Sequence, residues 1–237
     1  MLYGQRGKIG VIAPAPGTAT EMEFHKITPD GVAIITTRIP LTIANPENIA
    51  KLADYAEEAS VLLAQAEVDL IAFVCTAGSF IKGIGYDKEV TKRIEKRTGL
   101  PAITTTTSVI ESLKTLKVTK LSLAAPYLNE VTEIEKVFLE DSGFKVTSVN
   151  TLNLRAAIKI AKVDSDEIYR LAKETVTEDA QALFISCTGL TVLPIIDAME
   201  KEFKIPVVSS NQATIWAALR KIHIEDKIQG YGRLFSL

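Results

Sequence analysis

The chain carries the same order of sequence landmarks twice, and this repeat is the feature that most limits what it can fold into. Three landmarks recur in both halves: Ala13-Pro14 with Ala125-Pro126, Cys75-Thr76 with Cys187-Thr188, and L-P-A-I-T at 100–104 with I-P-V-V-S at 205–209. The first two pairs are separated by the same number of residues. Matched landmarks in the same order predict a duplicated unit that folds as two similar lobes.

Short apolar runs without polar alternation are typical of strands buried in a parallel sheet. Six such runs are present, at 8–14, 69–75, 100–104, 120–126, 182–187 and 205–209. Stretches with helical spacing lie between them, at 45–64, 129–143 and 164–176. Alternating strands and helices predict an α/β fold with parallel sheets, and the repeat predicts lobes related by a pseudo-twofold axis. We place the first lobe at 1–106 plus 212–237 and the second at 107–211, with a ligand-holding cleft between them.

Composition excludes several classes of function. The 237 residues carry a net charge of −2, so no basic field is available and the sequence predicts no nucleic-acid partner. No apolar segment approaches the roughly 20 residues needed to span a bilayer, and no secretory signal is visible, so we expect a cytoplasmic protein with no membrane partner. Two cysteines in such a chain are expected to be reduced thiols.

Both cysteines follow an apolar run and precede a threonine, in F-V-C-T-A-G-S (73–79) and F-I-S-C-T-G-L (184–190). Ligands of open parallel α/β sheets bind beyond the carboxyl ends of the strands, so we expect Cys75 and Cys187 to face one cleft from opposite sides. Helix N-termini there are expected to bind a carboxylate and to lower the thiol pKa. Two such thiols suit the removal and return of a proton at a carbon. The alternative, a pair of buried structural thiols, stays open.

Other chemistries have less support in the sequence. His25 and His223 are the only histidines, and neither follows a predicted strand. There is no metal-ligand spacing, no G-x-G-x-x-G and no P-loop, which predicts chemistry with no cofactor and no metal. We interpret Glu21 and Glu23 as capping or solvating the start of a helix.

The sequence resembles a known group at several motifs spread over nearly the whole chain. They are G-V-I-A-P-A-P-G-T-A-T-E-M-E-F (10–24), T-R-I-P-L (37–41), C-T-A-G-S (75–79), A-P-Y-L-N-E-V (125–131), S-C-T-G-L (186–190) and S-N-Q-A-T-I-W (210–216). In these motifs the chain is similar to the aspartate/glutamate racemase superfamily, in particular its maleate cis–trans isomerase and arylmalonate decarboxylase branch.

The resemblance implies two Rossmann-like, flavodoxin-like lobes that hold the carboxylate of a small-molecule substrate between them. Cys75 and Cys187 match the catalytic cysteine positions of this branch. The resemblance also assigns substrate binding to Pro14, Gly17, Thr18, Thr76, Ala77, Tyr127, Thr188 and Gly189. Among these, Tyr127 matches a tyrosine whose hydroxyl hydrogen-bonds the substrate carboxylate.

The members of this branch use their cysteines differently. In the isomerases one cysteine adds to a double bond and the other acts as an acid, whereas in the racemases the two exchange a Cα proton. In the decarboxylases a single cysteine at the Cys187 position protonates an enediolate, and the Cys75 position is usually glycine. Maleate isomerases also carry asparagines where Gly17 and Ala156-Ala157 stand here, and losing these amides leaves a second carboxylate poorly satisfied.

We therefore expect a cofactor-independent isomerase or racemase of a small carboxylic acid that uses two cysteines in the manner of maleate isomerase. One alternative is an arylmalonate decarboxylase-like enzyme with Cys187 as the proton donor. Another is a non-catalytic carboxylate-binding protein. The sequence leaves the oligomeric state open, and a homo-oligomer is compatible with such a fold.

Overall fold

Two four-stranded sheets, each entirely parallel, form the framework of the computed structural model, which describes residues 3–237. The eight strands are β1 (Gly7–Pro14), β2 (Val32–Ile39), β3 (Leu70–Phe73), β4 (Ala102–Thr104), β5 (Lys120–Ala125), β6 (Lys145–Thr151), β7 (Ala182–Ile185) and β8 (Val207–Ser209). The first sheet has the order β2-β1-β3-β4 and the second the order β6-β5-β7-β8, so one topology is used twice. The predicted α/β class with two similar lobes is confirmed.

Helices connect the strands in both halves. They are α1 (Thr18–Ile27), α2 (Pro46–Ala50), α3 (Leu52–Gln65), α4 (Thr76–Phe80), α5 (Tyr86–Thr98), α6 (Thr105–Thr115), α7 (Asn129–Asp141), α8 (Ala157–Ile160), α9 (Ser165–Thr175), α10 (Ile196–Phe203) and α11 (Ser210–Lys221). Short 3₁₀ helices lie at Leu193–Ile195 and Arg233–Ser236. No helix within residues 3–237 is long and apolar enough to cross a membrane.

All six predicted strands are present, but the sequence did not reveal β2 and β6. Each of these two strands lies at an edge of its sheet. Their residues are mostly half-buried, and polar residues interrupt both V-A-I-I-T-T-R-I and K-V-T-S-V-N-T. The opposite edge strands, β4 and β8, are fully buried and were predicted, so it is the partial exposure of β2 and β6 that removes the uninterrupted apolar run of a buried strand.

Corresponding helices of the two halves start in the same way. Thr104 caps α6 by accepting a hydrogen bond from the Thr107 N–H at 3.2 Å, and Ser209 caps α11 through the Gln212 N–H at the same distance. Side-chain caps of this kind satisfy N–H groups that have no acceptor within the helix. The predicted helix at 45–64 is broken at Lys51, where α2 ends and α3 begins.

Helices α6 and α11 each follow one sheet in sequence and pack against the other. Val109 and Leu113 of α6 belong to a buried cluster with Phe184 of the second sheet. Ile215 of α11 lies in a cluster with Val11 of the first sheet. This crossing supports lobe boundaries near 106 and 212, which stay a prediction.

Candidate active site

A cavity of about 50 Å³ lies beyond the carboxyl ends of the central strands of both sheets. Nine of the ten residues predicted for the site line it: Pro14, Gly17, Cys75, Thr76, Ala77, Tyr127, Cys187, Thr188 and Gly189. The tenth, Thr18, is the first residue of α1; it is exposed and does not line the cavity. The fold therefore brings together residues from distant parts of the sequence, with one cysteine contributed from each half.

Cys75 follows β3 and precedes the first residue of α4 with an extended backbone. The residue is 6% exposed, and the nearby backbone N–H of Gly78 lowers the pKa of its thiol. A Cβ at Gly78 would lie 3.0 Å from this sulfur and 2.8 Å from Cζ of Phe73. Only glycine fits there without displacing the thiol.

Cys187 follows β7 with φ = +99°, a backbone conformation that residues with a side chain rarely adopt. Strain of this kind costs about 1–3 kcal/mol and persists only where neighbouring contacts enforce it. Here the Cys187 N–H donates to Ser210 Oγ at 3.0 Å, and the Gly189 N–H donates to the Cys187 sulfur at 3.4 Å. These contacts hold the thiol at the cavity wall.

Ser210 ties the two cysteine-bearing segments together. Its Oγ accepts from the Thr76 hydroxyl at 2.9 Å as well as from the Cys187 N–H. The Thr188 hydroxyl donates to the Val74 carbonyl at 3.3 Å. Both threonine hydroxyl hydrogens are therefore already used in hydrogen bonds to protein groups. The hydrogen-bond donors that these two segments can offer a ligand are their backbone N–H groups. The first N–H groups of α4 have no acceptor within the helix, which suits an anion.

Both thiols are harder to ionise than the sequence indicated. Burial raises the pKa of Cys75 to about 12, and the Gly78 N–H offsets only part of this effect. Burial likewise raises the pKa of Cys187 to about 11, against the lowering effect of the Gly189 N–H and the Tyr127 hydroxyl. The expectation of a lowered thiol pKa is wrong, because loss of hydration outweighs one short helix.

A buried carboxyl group that the sequence did not reveal lies behind Cys187. Glu135 of α7 is 1% exposed, and its Oε1 accepts a hydrogen bond from the Ser186 hydroxyl at 2.5 Å. The Ser186 Oγ is also 3.3 Å from the Tyr127 hydroxyl. Burial raises the pKa of Glu135 to about 8, and the Ser186 hydrogen bond offsets part of that rise. The signal was available, because Glu135 shares the apolar face of its helix with Val131 and Phe138.

A second buried carboxyl group joins α1 to the opposite half of the molecule. Glu23 accepts the Leu193 N–H on one oxygen and the Asn211 side-chain amide on the other, each at 2.8 Å. Asn211 also donates to the Thr188 carbonyl at 3.0 Å. Burial raises the pKa of Glu23 to about 7. The interpretation of Glu23 as a solvated residue is wrong, whereas Glu21 is partly exposed and paired with Arg38 at 2.6 Å.

The wall that completes the cavity is apolar. Its residues are Leu41, Ala44, Ile49, Ala157, Ile160 and Ala161. Across it, the Ala44 N–H donates to the Arg155 carbonyl at 2.8 Å and the Ala157 N–H donates to the Thr42 carbonyl at 3.0 Å. These bonds join a loop of each half over the site. Among the described residues that line the cavity, none has a charged side chain or a side-chain amide.

Metal ligands do not cluster in the part of the chain that the structure describes. No group of three His, Cys, Asp or Glu side chains within residues 3–237 is placed to hold a metal ion. Both cysteines are free, with Cys75 buried and Cys187 partly buried.

The sequence is related to two kinds of enzyme over nearly its whole length. A model of the arylmalonate decarboxylase family matches residues 9–235. The chain is 24% identical to a maleate isomerase from Pseudomonas putida, with 97% of each chain covered. It is 27% identical to an arylmalonate decarboxylase from Bordetella bronchiseptica, with 96% of each chain covered.

Solved structures of both kinds of enzyme have the same fold as this chain. The fold matches a crystal structure of a maleate isomerase variant from Pseudomonas putida S16 with maleate at a TM-score of 0.93, with 21% identity and 97% of each chain covered. It matches a liganded double mutant of arylmalonate decarboxylase at a TM-score of 0.91, with 28% identity over 97% of this chain and 98% of the other. The resemblance found in the sequence is thus confirmed: the chain belongs to the arylmalonate decarboxylase and maleate isomerase family of the aspartate/glutamate racemase superfamily.

Proposed function

We propose that the protein is a cofactor-independent racemase or isomerase of a small carboxylic acid, with Cys75 and Cys187 as its catalytic pair. The observation that carries this proposal is that one thiol from each half lines the same cavity. Decarboxylases need one such thiol, so the second cysteine favours a two-sided reaction.

In this mechanism the substrate carboxylate accepts hydrogen bonds from the backbone N–H groups of Thr76, Ala77 and Thr188, and from the Tyr127 hydroxyl. For racemisation, the thiolate of Cys75, which is a minor form at neutral pH because the pKa is about 12, removes the Cα proton. The negative charge then moves into the carboxylate as an enediolate. The same donors stabilise that charge as it develops. The Cys187 thiol then gives a proton to the opposite face of the carbon, and the roles reverse for the other enantiomer. For an alkene, sulfur addition and protonation create a single bond that rotates before elimination.

The apolar wall supports a substrate with one carboxylate and an apolar substituent. A second carboxylate would lie against side chains such as Leu41, Ile49 and Ile160. An ionised group buried without a partner is costly, by several kcal/mol even after relaxation.

Proton NMR in D₂O tests this proposal with maleate, several 2-alkyl carboxylic acids and phenylmalonate as separate substrates. We expect α-deuterium incorporation into the alkyl acids and little fumarate from maleate. Ala157→Asn, which adds a side-chain amide to the wall, is expected to shift the preference towards maleate. Rapid conversion of maleate with no exchange of any alkyl acid would overturn the substrate class. Thermal stabilisation by these acids without any turnover would instead indicate a binding protein.

A second candidate is a decarboxylase in which Cys187 alone delivers a proton after CO₂ is lost. The observation that favours it is an asymmetry between the two cysteines. A tyrosine hydroxyl lowers the pKa of Cys187 but not that of Cys75, and only Cys187 has a strained backbone. Release of CO₂ from phenylmalonate that survives Cys75→Gly and is lost in Cys187→Ala would support this candidate over the first.

A further inference from the structure

Glu135 is placed where its proton can reach the active site although its side chain does not line the cavity. Its Oε1 accepts from Ser186, the residue directly before Cys187, and among the described residues its Oε2 has no hydrogen-bond partner. A buried carboxyl with one unpartnered oxygen is poorly satisfied as an anion and well suited to carry a proton there.

A continuous chain of hydroxyl groups leads from this carboxyl to the thiol. Ser186 Oγ is 2.5 Å from Glu135 Oε1 and 3.3 Å from the Tyr127 hydroxyl, and the Tyr127 hydroxyl is near enough to the Cys187 sulfur to lower the pKa of that thiol. A hydroxyl group both donates and accepts, so each can pass a proton on as it receives one. Within residues 3–237 no side-chain hydroxyl affects the pKa of Cys75 in this way, and the group that lowers it is the Gly78 backbone N–H.

The titratable groups nearest to Glu135 are the Cys187 thiol and the Tyr127 phenol, because the described elements packed against it bring no other charged group close. Helix α4, which packs against α7, has the sequence T-A-G-S-F and carries no charge. The only charged residue of the neighbouring strand β6 is Lys145, and it is exposed. On α7 itself, Glu133 and Lys136 form an ion pair with each other.

We propose that Glu135 is a proton reservoir for Cys187, to which it is connected through the hydroxyl groups of Ser186 and Tyr127. When Cys187 has given its proton to a substrate carbon and the product carboxylate has left Tyr127, Tyr127 donates to the thiolate, Ser186 donates to Tyr127, and Glu135 donates to Ser186. The balance is one proton moved from carboxyl to thiolate, with each hydroxyl group restored and Glu135 left ionised. Glu135 regains the proton by the reverse sequence when Cys187 acts as the base for the other enantiomer. Glu135 is thus a positioning residue that acts through Tyr127, and this role rests on the proposed function of Cys187.

The direction of transfer follows from the acidities. The pKa of Cys187 is about 11 and that of Glu135 about 8, so a proton passes from the carboxyl group to the thiolate spontaneously. In the other sense, an ionised Glu135 raises the pKa of Cys187 by repulsion. The protonation of the two groups is therefore coupled, which can be measured without a substrate.

The test is the alkylation rate of each cysteine by iodoacetamide, followed by mass spectrometry on both sides of pH 8. In the wild-type protein we expect the alkylation rate of Cys187 to rise with pH, and to rise less steeply once Glu135 ionises, because the carboxylate raises the pKa of Cys187. Glu135→Gln should remove this inflection and speed alkylation of Cys187 above pH 8 by up to roughly tenfold, which corresponds to one pKa unit. Cys75 provides an internal reference that should show no inflection near pH 8 in either protein.

Two further variants separate this role from a structural one. Glu133→Gln removes an exposed carboxyl from the same helix and should keep the wild-type profile. Ser186→Ala should move the inflection to higher pH, because the Ser186 hydrogen bond lowers the pKa of Glu135. This variant also serves as the test if Glu135→Gln does not fold by circular dichroism.

Turnover supplies the second readout. With any substrate that proves active, Glu135→Gln and Ser186→Ala should lower kcat several-fold and leave KM unchanged. Identical Cys187 profiles in wild type and both variants would overturn the coupling, and an unchanged kcat would overturn the reservoir. An enzyme without turnover would contradict the proposed function alone, because the alkylation profile does not depend on it.

Discussion

Gly78 determines where the sulfur of Cys75 can lie. A Cβ at this position would contact Cys75 Sγ at 3.0 Å and Phe73 Cζ at 2.8 Å, whereas at Gly189 the nearest atoms would be an ordinary 3.4 and 3.5 Å away. The two glycines occupy similar places after their cysteines, so they form a matched pair for substitution. One position tolerates a methyl group and the other does not.

We expect Gly78→Ala to lower the free energy of unfolding by about 1–3 kcal/mol, the usual cost of overpacking a buried site. It should also reduce turnover strongly, because relief of the clash moves the thiol. Gly189→Ala should change the free energy of unfolding by less than about 1 kcal/mol. Urea denaturation of both variants checks the difference, and equal losses would show that the space around Cys75 is not restrictive.

The side chain of Glu23 connects three secondary-structure elements: α1, α11 and the 3₁₀ helix that begins at Leu193. Through this carboxyl group, α1 binds both the N-terminal turn of α11 and the segment that follows Cys187. Its pKa of about 7 lies above the ordinary value of 4.5 because the group is buried. A carboxyl group whose pKa is raised on folding stabilises the protein fully below its unfolded pKa and loses that contribution as pH rises through the folded value.

The wild-type protein should therefore lose stability between about pH 4.5 and 7, by up to about 3 kcal/mol from this group. Glu23→Gln removes the titration and should flatten the dependence in this window. Urea denaturation at a series of pH values measures it, with Glu21→Gln on the same helix as the matched control. Parallel curves for wild type and Glu23→Gln would contradict this account of the contact.

The sequence could predict the place of a residue where its neighbours in the chain indicated it, but not where its role depends on partners distant in sequence. The two cysteines follow apolar runs at corresponding points of a repeat, so their places were predictable, whereas Tyr127 was assigned through the resemblance to the family. Glu23 and Glu135 lie on the buried faces of their helices, but their partners Asn211 and Ser186 are far away in sequence. Only the folded chain shows that these carboxyl groups are hydrogen-bonded. Likewise, only the folded chain shows that both thiols are buried, which is why their pKa values are raised.

At the scale of the whole molecule, two copies of one sheet topology supply one cysteine each to a shared cavity. The repeat predicted this arrangement because both cysteines follow the same strand of their sheets, β3 and β7. The edge strands β2 and β6 were not predicted, and none of their residues lines the cavity. Helices α6 and α11 cross between the sheets, so neither half forms the cavity by itself.

The central claim is that both thiols take part in one reaction. Its most direct test is α-deuterium exchange of a 2-alkyl carboxylic acid in D₂O, measured side by side for wild type, Cys75→Ala and Cys187→Ala. We predict that each substitution lowers racemisation by at least about a thousandfold while circular dichroism shows the fold unchanged. Racemisation at the wild-type rate in either folded variant would contradict the claim.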